Sequence, residues 1–504
     1  MKALAKEMLE RARRSPEEIA VVDELGRHTV DEIMAAARIL AERIAGLDRH
    51  GPTVLVQADN TWHTLAAAVA VGLRGGVVAV FSPHATESEF RLVVEDIDPD
   101  LVVAEPEALC RWEVPDGDFP LSEPAFGDHL LRARSGPFGP VDRWRGGTAI
   151  AMTSGSTGRP KCVVQSEEAI RYACRSTIEA VGLRTGDAVG AFVPLSSVAA
   201  FCFGMYLPTY LGGRMVAIGK WSPGGALAAM AADEVAWTML VPTMALQLSV
   251  VEDSAGGLST LRAMTVGGGP MNRRSLAEAE HKLGTTFLRV FGMSECLGHT
   301  TPRLDDPPAI RLGRDGRPFA GTVVRAVDAA GNALPADEIG DAQVKGPSLF
   351  VGYARGGAPV PPELTADGFL ATGDSVEVAV DGSIRVTGRQ KQIIIRGGRN
   401  IDINEVEAAI AGLPGVVQVC VVPVPDDLLG ERAAALVVTD GAPLALDDVT
   451  EQLAAADFPK FKWPEYLFTV ADLPQNRVGK LSRLEAVRLA SKLAAADPSS
   501  PQVR

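Results

Sequence analysis

Thr153-Ser154-Gly155-Ser156-Thr157-Gly158-Arg159-Pro160-Lys161 is the stretch on which the reading of this chain turns. Gly155 and Gly158 tolerate positive φ and let backbone approach a ligand closely. Thr153, Ser154, Ser156 and Thr157 crowd hydroxyl donors around the same turn. Backbone N–H groups, hydroxyls and the Lys161 ammonium together suit a polyphosphate. The spacing is not that of a Walker loop, and Pro160 stands directly before the lysine, which disfavours a P-loop kinase or ATPase. Apolar residues precede the loop (Thr148 to Met152) and Val163-Val164 follow it, so a strand–loop–strand setting is expected. Taken alone, the stretch reads equally as a flexible Gly/Ser turn.

The surrounding chain sets bounds. Its 504 residues carry a net charge of −14 without a basic run, so nucleic acid and anionic membranes are not the expected partners. The six cysteines (Cys110, Cys162, Cys174, Cys202, Cys296, Cys420) are scattered, without C-x-x-C or zinc-like spacing, which fits reduced, mostly buried thiols in a cytoplasmic protein. The N-terminus reads as a charged amphipathic helix with no apolar signal core. Leu65 to Phe81 is the most apolar region, but Arg74-Gly75-Gly76 interrupts it, so a buried helix and a strand are expected there and no membrane span.

From residue 20 to about 310, β-branched runs such as Thr53-Val54-Leu55-Val56, Val77 to Val80 and Leu101 to Ala104 alternate with helical patterns. That alternation predicts an α/β fold of layered, largely parallel sheets. Short strands separated by Gly/Asp turns predict a β-rich subdomain at about 310–388, with Gly356 to Pro362 as a surface loop. A large N-terminal domain, 1–388, would thus be followed by a small mobile α+β C-terminal domain, 389–504.

Four further segments raise the phosphate loop above coincidence. Gly267-Gly268-Gly269 follows a strand and offers bare backbone to a flat base. Phe291-Gly292-Met293-Ser294-Glu295 supplies an aromatic ring, a hydroxyl and a carboxylate. Thr372-Gly373-Asp374 ends in a carboxylate able to hold a ribose diol, and Val478-Gly479-Lys480 puts a lysine on a loop near the C-terminus.

In this order the five segments resemble the adenylate-forming superfamily of acyl-CoA synthetases, peptide-synthetase adenylation domains and luciferases. The wording around Val290 to Asp306 is most similar to the stand-alone aryl-acid-activating AMP ligases. The resemblance implies ATP and Mg²⁺ as cofactors and a two-step reaction: a carboxylate attacks the α-phosphorus to give acyl-adenylate and pyrophosphate, then a nucleophile displaces AMP. Positioning and charge neutralisation would supply most of the acceleration.

It further implies that Thr153 to Lys161 hold the β- and γ-phosphates and that Glu295 binds Mg²⁺ through carboxylate oxygen. Ser294 would touch the α-phosphate, and Phe291 would stack on adenine or else be plain core. Asp374 and Arg389 would hold the ribose hydroxyls. Lys480 would bridge the substrate carboxylate and α-phosphate oxygens. Lys391 matches the position of the family hinge, near 389–391, and Gly397-Gly398 would line the channel of the second step.

Three positions depart from the family's usual wording: Cys162, Glu167 and Ile403 stand where glycine, histidine and proline are common. Ser197-Val198 stands where dihydroxybenzoate-activating relatives carry His-Asn, which argues against the same contact to a ring hydroxyl. Ser197, Val198, Phe201, Met293 and Leu297 mark an apolar pocket for an aromatic, cyclic or medium-sized acid, or core behind that pocket. CoA, a carrier-protein phosphopantetheine and an amine all stay open as acyl acceptors, so the product is a thioester or the amide of an amide bond synthetase. A role in secondary metabolism fits any of these. The alternative of another class is a non-catalytic nucleotide-binding protein with the same fold.

Overall fold

The computed structural model describes the chain apart from residues 48–49, 137–138, 140–141, 154–158, 252–257, 270, 272, 390–391, 398, 427–428, 442–443, 477–478 and 497–504. Three β-branched runs form the interior of its first sheet. Thr53–Gln57, Val77–Phe81 and Leu101–Ala104 are buried along their whole length. Continuous apolar runs of this kind belong to strands covered on both faces. Helix Trp62–Leu73 leads from the first of these to the second, and helix Glu87–Ile97 from the second to the third. Their buried residues fall in different core clusters, so the two helices cover opposite faces.

The sheet has nine strands. In the order Gly147–Thr153, Val77–Phe81, Thr53–Gln57 and Leu101–Ala104 its middle four run parallel. The flanking strands are antiparallel, a correction to the expectation of largely parallel sheets; both edges are finished by hairpins, which need no crossover. Gly356 to Pro362 is also not a plain loop. Ala358–Val360 pairs with Gly352–Arg355 as the outermost strand, with Pro359 opposite Ala354. Proline is tolerated there because an edge strand leaves one row of backbone groups unpaired.

A second nine-stranded sheet runs from Arg317–Pro318 to Gly26–Thr29, with a parallel interior that includes Val235–Leu240, Ala263–Gly267 and Phe287–Met293. Four antiparallel strands between Val323 and Arg389 form a third sheet. A smaller C-terminal domain follows, in which a five-stranded sheet carries helices Ile403–Ala411 and Leu446–Ala455 on one core and Arg483–Ala496 on another. Arg483 fastens that last helix by a two-pronged ion pair to the buried Glu407, both bonds 2.8 Å, and a bond to the Val421 carbonyl. The layered α/β fold with a smaller C-terminal domain is the expected one.

Leu65 to Phe81 resolves into a buried helix and a strand, and no helix among the described residues is long and apolar enough to cross a membrane. Glu167, the departure from histidine, has a structural partner: its carboxylate accepts from the backbone N–H groups of Ala3 and Leu4, both at 3.0 Å, in the first turn of helix Lys2–Arg14. Ile403 opens helix Ile403–Ala411 after an Asp402 N-cap, packs into the C-terminal core and donates its N–H to the Gln392 carbonyl at 3.0 Å, a bond a proline there could not make.

Candidate active site

The loop that follows Thr153 connects two antiparallel neighbours, Gly147–Thr153 and Lys161–Ser166, which pair Thr153 with Lys161 across its mouth. Ser154, Gly155, Ser156, Thr157 and Gly158 lie outside the described residues. The loop's far end is tethered: Arg159 donates 2.8 Å to Asp96 at the end of helix Glu87–Ile97, and Arg355 also pairs with Asp96. The two guanidiniums hold one buried carboxylate, which ties Arg159 to the scaffold next to Pro160.

Lys161 does not reach into solvent alone. Its Nζ lies over the ring of Tyr353, 5.2 Å from the centroid, and the Tyr353 hydroxyl donates 2.5 Å to Glu295. Burial and the neighbouring carboxylate raise the Tyr353 phenol above its ordinary range, so it stays protonated and remains a donor. Tyr353 comes from strand Gly352–Arg355, which pairs with Lys161–Ser166. One side chain thus links the phosphate-loop lysine to the Glu295 carboxylate.

Glu295 sits with Ser294 in the tight turn between Phe287–Met293 and Cys296–Thr301, 8 % exposed, its carbonyl accepting from Phe350 N–H. It is not a surface glutamate. The Ser294 carbonyl accepts 2.7 Å from Gln165 Nε2. Phe291 is packed in the core with its ring edge-to-face against His299 at 4.6 Å, and Gly292 backs onto Gly298. His299 donates Nδ1–H to the Cys296 carbonyl, and burial pulls the ring down to about 4, so it is neutral. Burial pushes the Cys162 thiol up to about 12 and that of Cys296 to about 11, so neither is a nucleophile near neutral pH.

Strand Ala263–Gly267 ends in the glycine turn. Gly268 has φ +84°, and a Cβ there would stand 2.9 Å from both Cε and Nζ of Lys480. The C-terminal lysine therefore lies across the Cα of Gly268, in space that only glycine leaves open. Its loop is moored by Thr243 Oγ1, which donates 2.8 Å to the Gly479 carbonyl, and by packing of Gly479 against Val241 and Met244. Gly267 is equally constrained, since a Cβ would strike Val290. Replacing Gly268 by Ala should push the Lys480 ammonium aside, since the obstacle is the end of a flexible side chain, and should add local backbone strain because Gly268 holds φ +84°. The expected result is a fall of roughly tenfold or more in adenylate formation, equivalent to about 1.4 kcal/mol or more, read by pyrophosphate exchange at saturating ATP.

Asp374 is buried on strand Leu370–Val378, in register with Arg389 on the neighbouring strand. Lys391 lies outside the described residues, as does Gly398; Gly397 takes φ +55°. Of the five expected pocket residues, Val198, Phe201 and Leu297 line one small, mostly apolar pocket together with Ala149, Ala151, Val163, Gln165 and Ile170. Ser197 caps the short helix that starts at Val198 and bridges Met152, next to the phosphate-loop strand. The chain then runs through a π-helical turn, Phe201–Tyr206, a form found disproportionately at functional sites. A second small apolar pocket is lined by Phe203, Trp237, Met239, Thr265, Val290 and Gly298 among others. Half-buried Met293 packs against the main core.

Residues 8–354 match the profile of the AMP-binding enzyme family, and residues 405–480 match that of the AMP-binding enzyme C-terminal domain. The chain belongs to the AMP-binding enzyme family. This AMP-binding enzyme is 32% identical to a salicylyl-CoA synthase / salicylate adenylyltransferase of a Streptomyces species, over 92% of this chain and 89% of the relative. It is 30% identical to the 2-hydroxy-7-methoxy-5-methyl-1-naphthoate–CoA ligase of Streptomyces carzinostaticus, over 97% and 93%. Its fold matches ATP-bound MatB from Rhodopseudomonas palustris with a TM-score of 0.81 at 25% identity, covering 98% of this chain and all of that one.

Two residues of the site are not signalled in the sequence. Tyr353 and Gln165 belong to no motif; strand pairing alone brings them to the turn that carries Ser294 and Glu295.

Proposed function

We propose that this AMP-binding enzyme is a carboxylic acid ligase that forms an acyl-adenylate from ATP and an aromatic or cyclic acid, then passes the acyl group to a thiol, CoA or a carrier-protein phosphopantetheine. The observation that carries the reading is the seat of Lys480 against Gly268, held there by the Thr243–Gly479 bond. A cation delivered by the C-terminal domain to a bare glycine turn suits a substrate whose charge builds up at that point. In the reaction a carboxylate oxygen bonds to the α-phosphorus, the bond from that phosphorus to the β-phosphate oxygen breaks, and pyrophosphate leaves. Lys480 would bridge the carboxylate and α-phosphate oxygens as charge accumulates there. Lys161 offsets charge on the departing pyrophosphate, and Asp374 with Arg389 holds the ribose.

Glu295 fits a Mg²⁺ ligand: a buried carboxylate with one oxygen fixed by the Tyr353 hydroxyl. The ion would neutralise phosphate charge beside Lys161.

The acid's ring is assigned to the apolar space around Phe201 and Leu297. Gln165 is its polar element. The Ser294 carbonyl can only accept, so the Gln165 amide must turn its Nε2 toward it; Oε1 is left buried and without a partner among the described residues. An acid bearing a hydroxyl or amino group would supply the missing donor. Gln165→Leu should therefore raise KM for a hydroxylated aryl acid such as salicylate by roughly tenfold, the cost of about one hydrogen bond, and leave that for benzoate unchanged or lower. Equal effects on both acids would refute this role.

The deciding experiment is pyrophosphate release across a panel of acids, repeated with CoA, pantetheinylated carrier protein and simple amines, with products weighed by mass spectrometry. Acid-dependent release with a thioester product supports the proposal. An amide product would reassign the acceptor, and no acid-dependent release would leave a nucleotide-binding protein.

A further inference from the structure

The geometry points to a second, metal-binding site in the first sheet, built by His63, Glu105 and His129 and suited to a single zinc-like divalent ion. It rests on nothing in the adenylation reading. One donor atom from each of the three residues lies within 4.8 Å of the other two. They come from three separate elements: His63 from the first turn of helix Trp62–Leu73, Glu105 from the residue after strand Leu101–Ala104, and His129 from the start of strand His129–Ala133.

The location has a topological reason. Strand Thr53–Gln57 lies between Val77–Phe81 and Leu101–Ala104, with the connecting helices on opposite faces. The chain reverses direction across the sheet here, and open α/β sheets leave a crevice at the carboxyl ends of such strands. His63 and Glu105 sit at its mouth, and the hairpin that carries His129 closes one side.

The chemistry is that of a borderline-soft ion. Two imidazoles and a carboxylate with an open fourth position form a recurrent zinc donor set, whereas Mg²⁺ and Ca²⁺ prefer all-oxygen shells. His129 is 1 % exposed and its Nδ1 has no partner among the described residues, an unusual state for a buried imidazole. The carboxylate is already braced from behind: Gln57 Nε2 donates to Glu105 at 3.2 Å and to Asp59 at 2.9 Å, while Gln57 Oε1 accepts from Glu105 N–H at 3.0 Å. Outer support of this kind orients metal ligands. Tetrahedral zinc, with bonds of about 2.0–2.1 Å, draws its donors to roughly 3.3 Å apart. Small rotations of the half-buried His63 and Glu105 toward the fixed His129 supply that closure.

The test uses the full chain without an affinity tag, stripped with chelator and titrated with Zn²⁺ by calorimetry and with Co²⁺ by visible absorption. The expected result is one saturable equivalent, a four-coordinate Co²⁺ band and a zinc-dependent rise in Tm. Glu105→Gln and His63→Gln should each weaken Zn²⁺ binding at least tenfold, while His281→Ala, at an exposed position of helix Arg273–Leu283, keeps it. Mg²⁺-dependent pyrophosphate release should be the same in all. Glu105→Gln preserves shape and its bond from Gln57, so it decides the question even if a histidine variant misfolds. Absence of saturable binding to the parent chain, or equal binding by Glu105→Gln, would overturn the site.

Discussion

Lys480→Ala should lose adenylate formation by about two to three orders of magnitude, the usual consequence of deleting one donor aimed at developing charge. ATP should still bind, because the phosphate loop, Asp374 and the Gly268 turn are untouched. The separation of the two readouts is the point of the experiment. Nζ lies at the Gly268 backbone, while the loop that carries it is anchored by groups the substitution leaves in place: the Gly479 carbonyl on Thr243, and the Lys480 N–H donated to Asn476 Oδ1 at 3.0 Å. The C-terminal domain should therefore remain docked, with Tm within a few degrees of the parent. Pyrophosphate exchange near the parental rate would remove Lys480 from the chemistry and with it the main support for the proposed mechanism.

Glu295→Gln should be nearly as damaging. The amide keeps the size of the side chain and can still accept from Tyr353, so the turn between Phe287–Met293 and Cys296–Thr301 should hold its shape. What is lost is a negative charge facing the phosphates. The expected result is a fall of about 10²-fold or more in exchange rate and a shift of the Mg²⁺ dependence to higher concentration, read by titrating Mg²⁺ at fixed ATP. Tyr353→Phe gives the complementary result. It leaves the charge in place but removes its fixed hydrogen bond, so activity should drop less, by roughly tenfold, for a bond to a charged group. An unchanged Mg²⁺ profile in Glu295→Gln would show that the carboxylate serves the fold and not the ion.

Local chemistry is what a sequence states well. Continuous β-branched runs announced the strands buried on both faces, and glycines, hydroxyls and a lysine between Thr153 and Lys161 suggested a polyphosphate loop, because each property belongs to neighbouring residues. Gln165 and Tyr353 could not be found this way. Each is an unremarkable strand residue whose meaning comes from a partner more than fifty residues away: Ser294 for the first, Glu295 for the second. The same holds for His63, Glu105 and His129, spaced too widely for any metal motif. The edge strand Ala358–Val360 was hidden for a different reason. Its Gly and Pro content reads as loop, and only the free side of a sheet edge accommodates it.

By itself, then, the sequence determined the family, the order of the adenylate-forming segments and the buried parallel strands of the first large sheet, since these are written in contiguous patterns. Tertiary structure decided what those segments meet. It laid Lys480 across Gly268, joined Lys161 to Glu295 through Tyr353, left one buried acceptor on Gln165 facing an apolar cavity, and gathered two histidines and a glutamate at a crossover point. Each of these is a distance between residues remote in the chain, fixed by sheet pairing and packing.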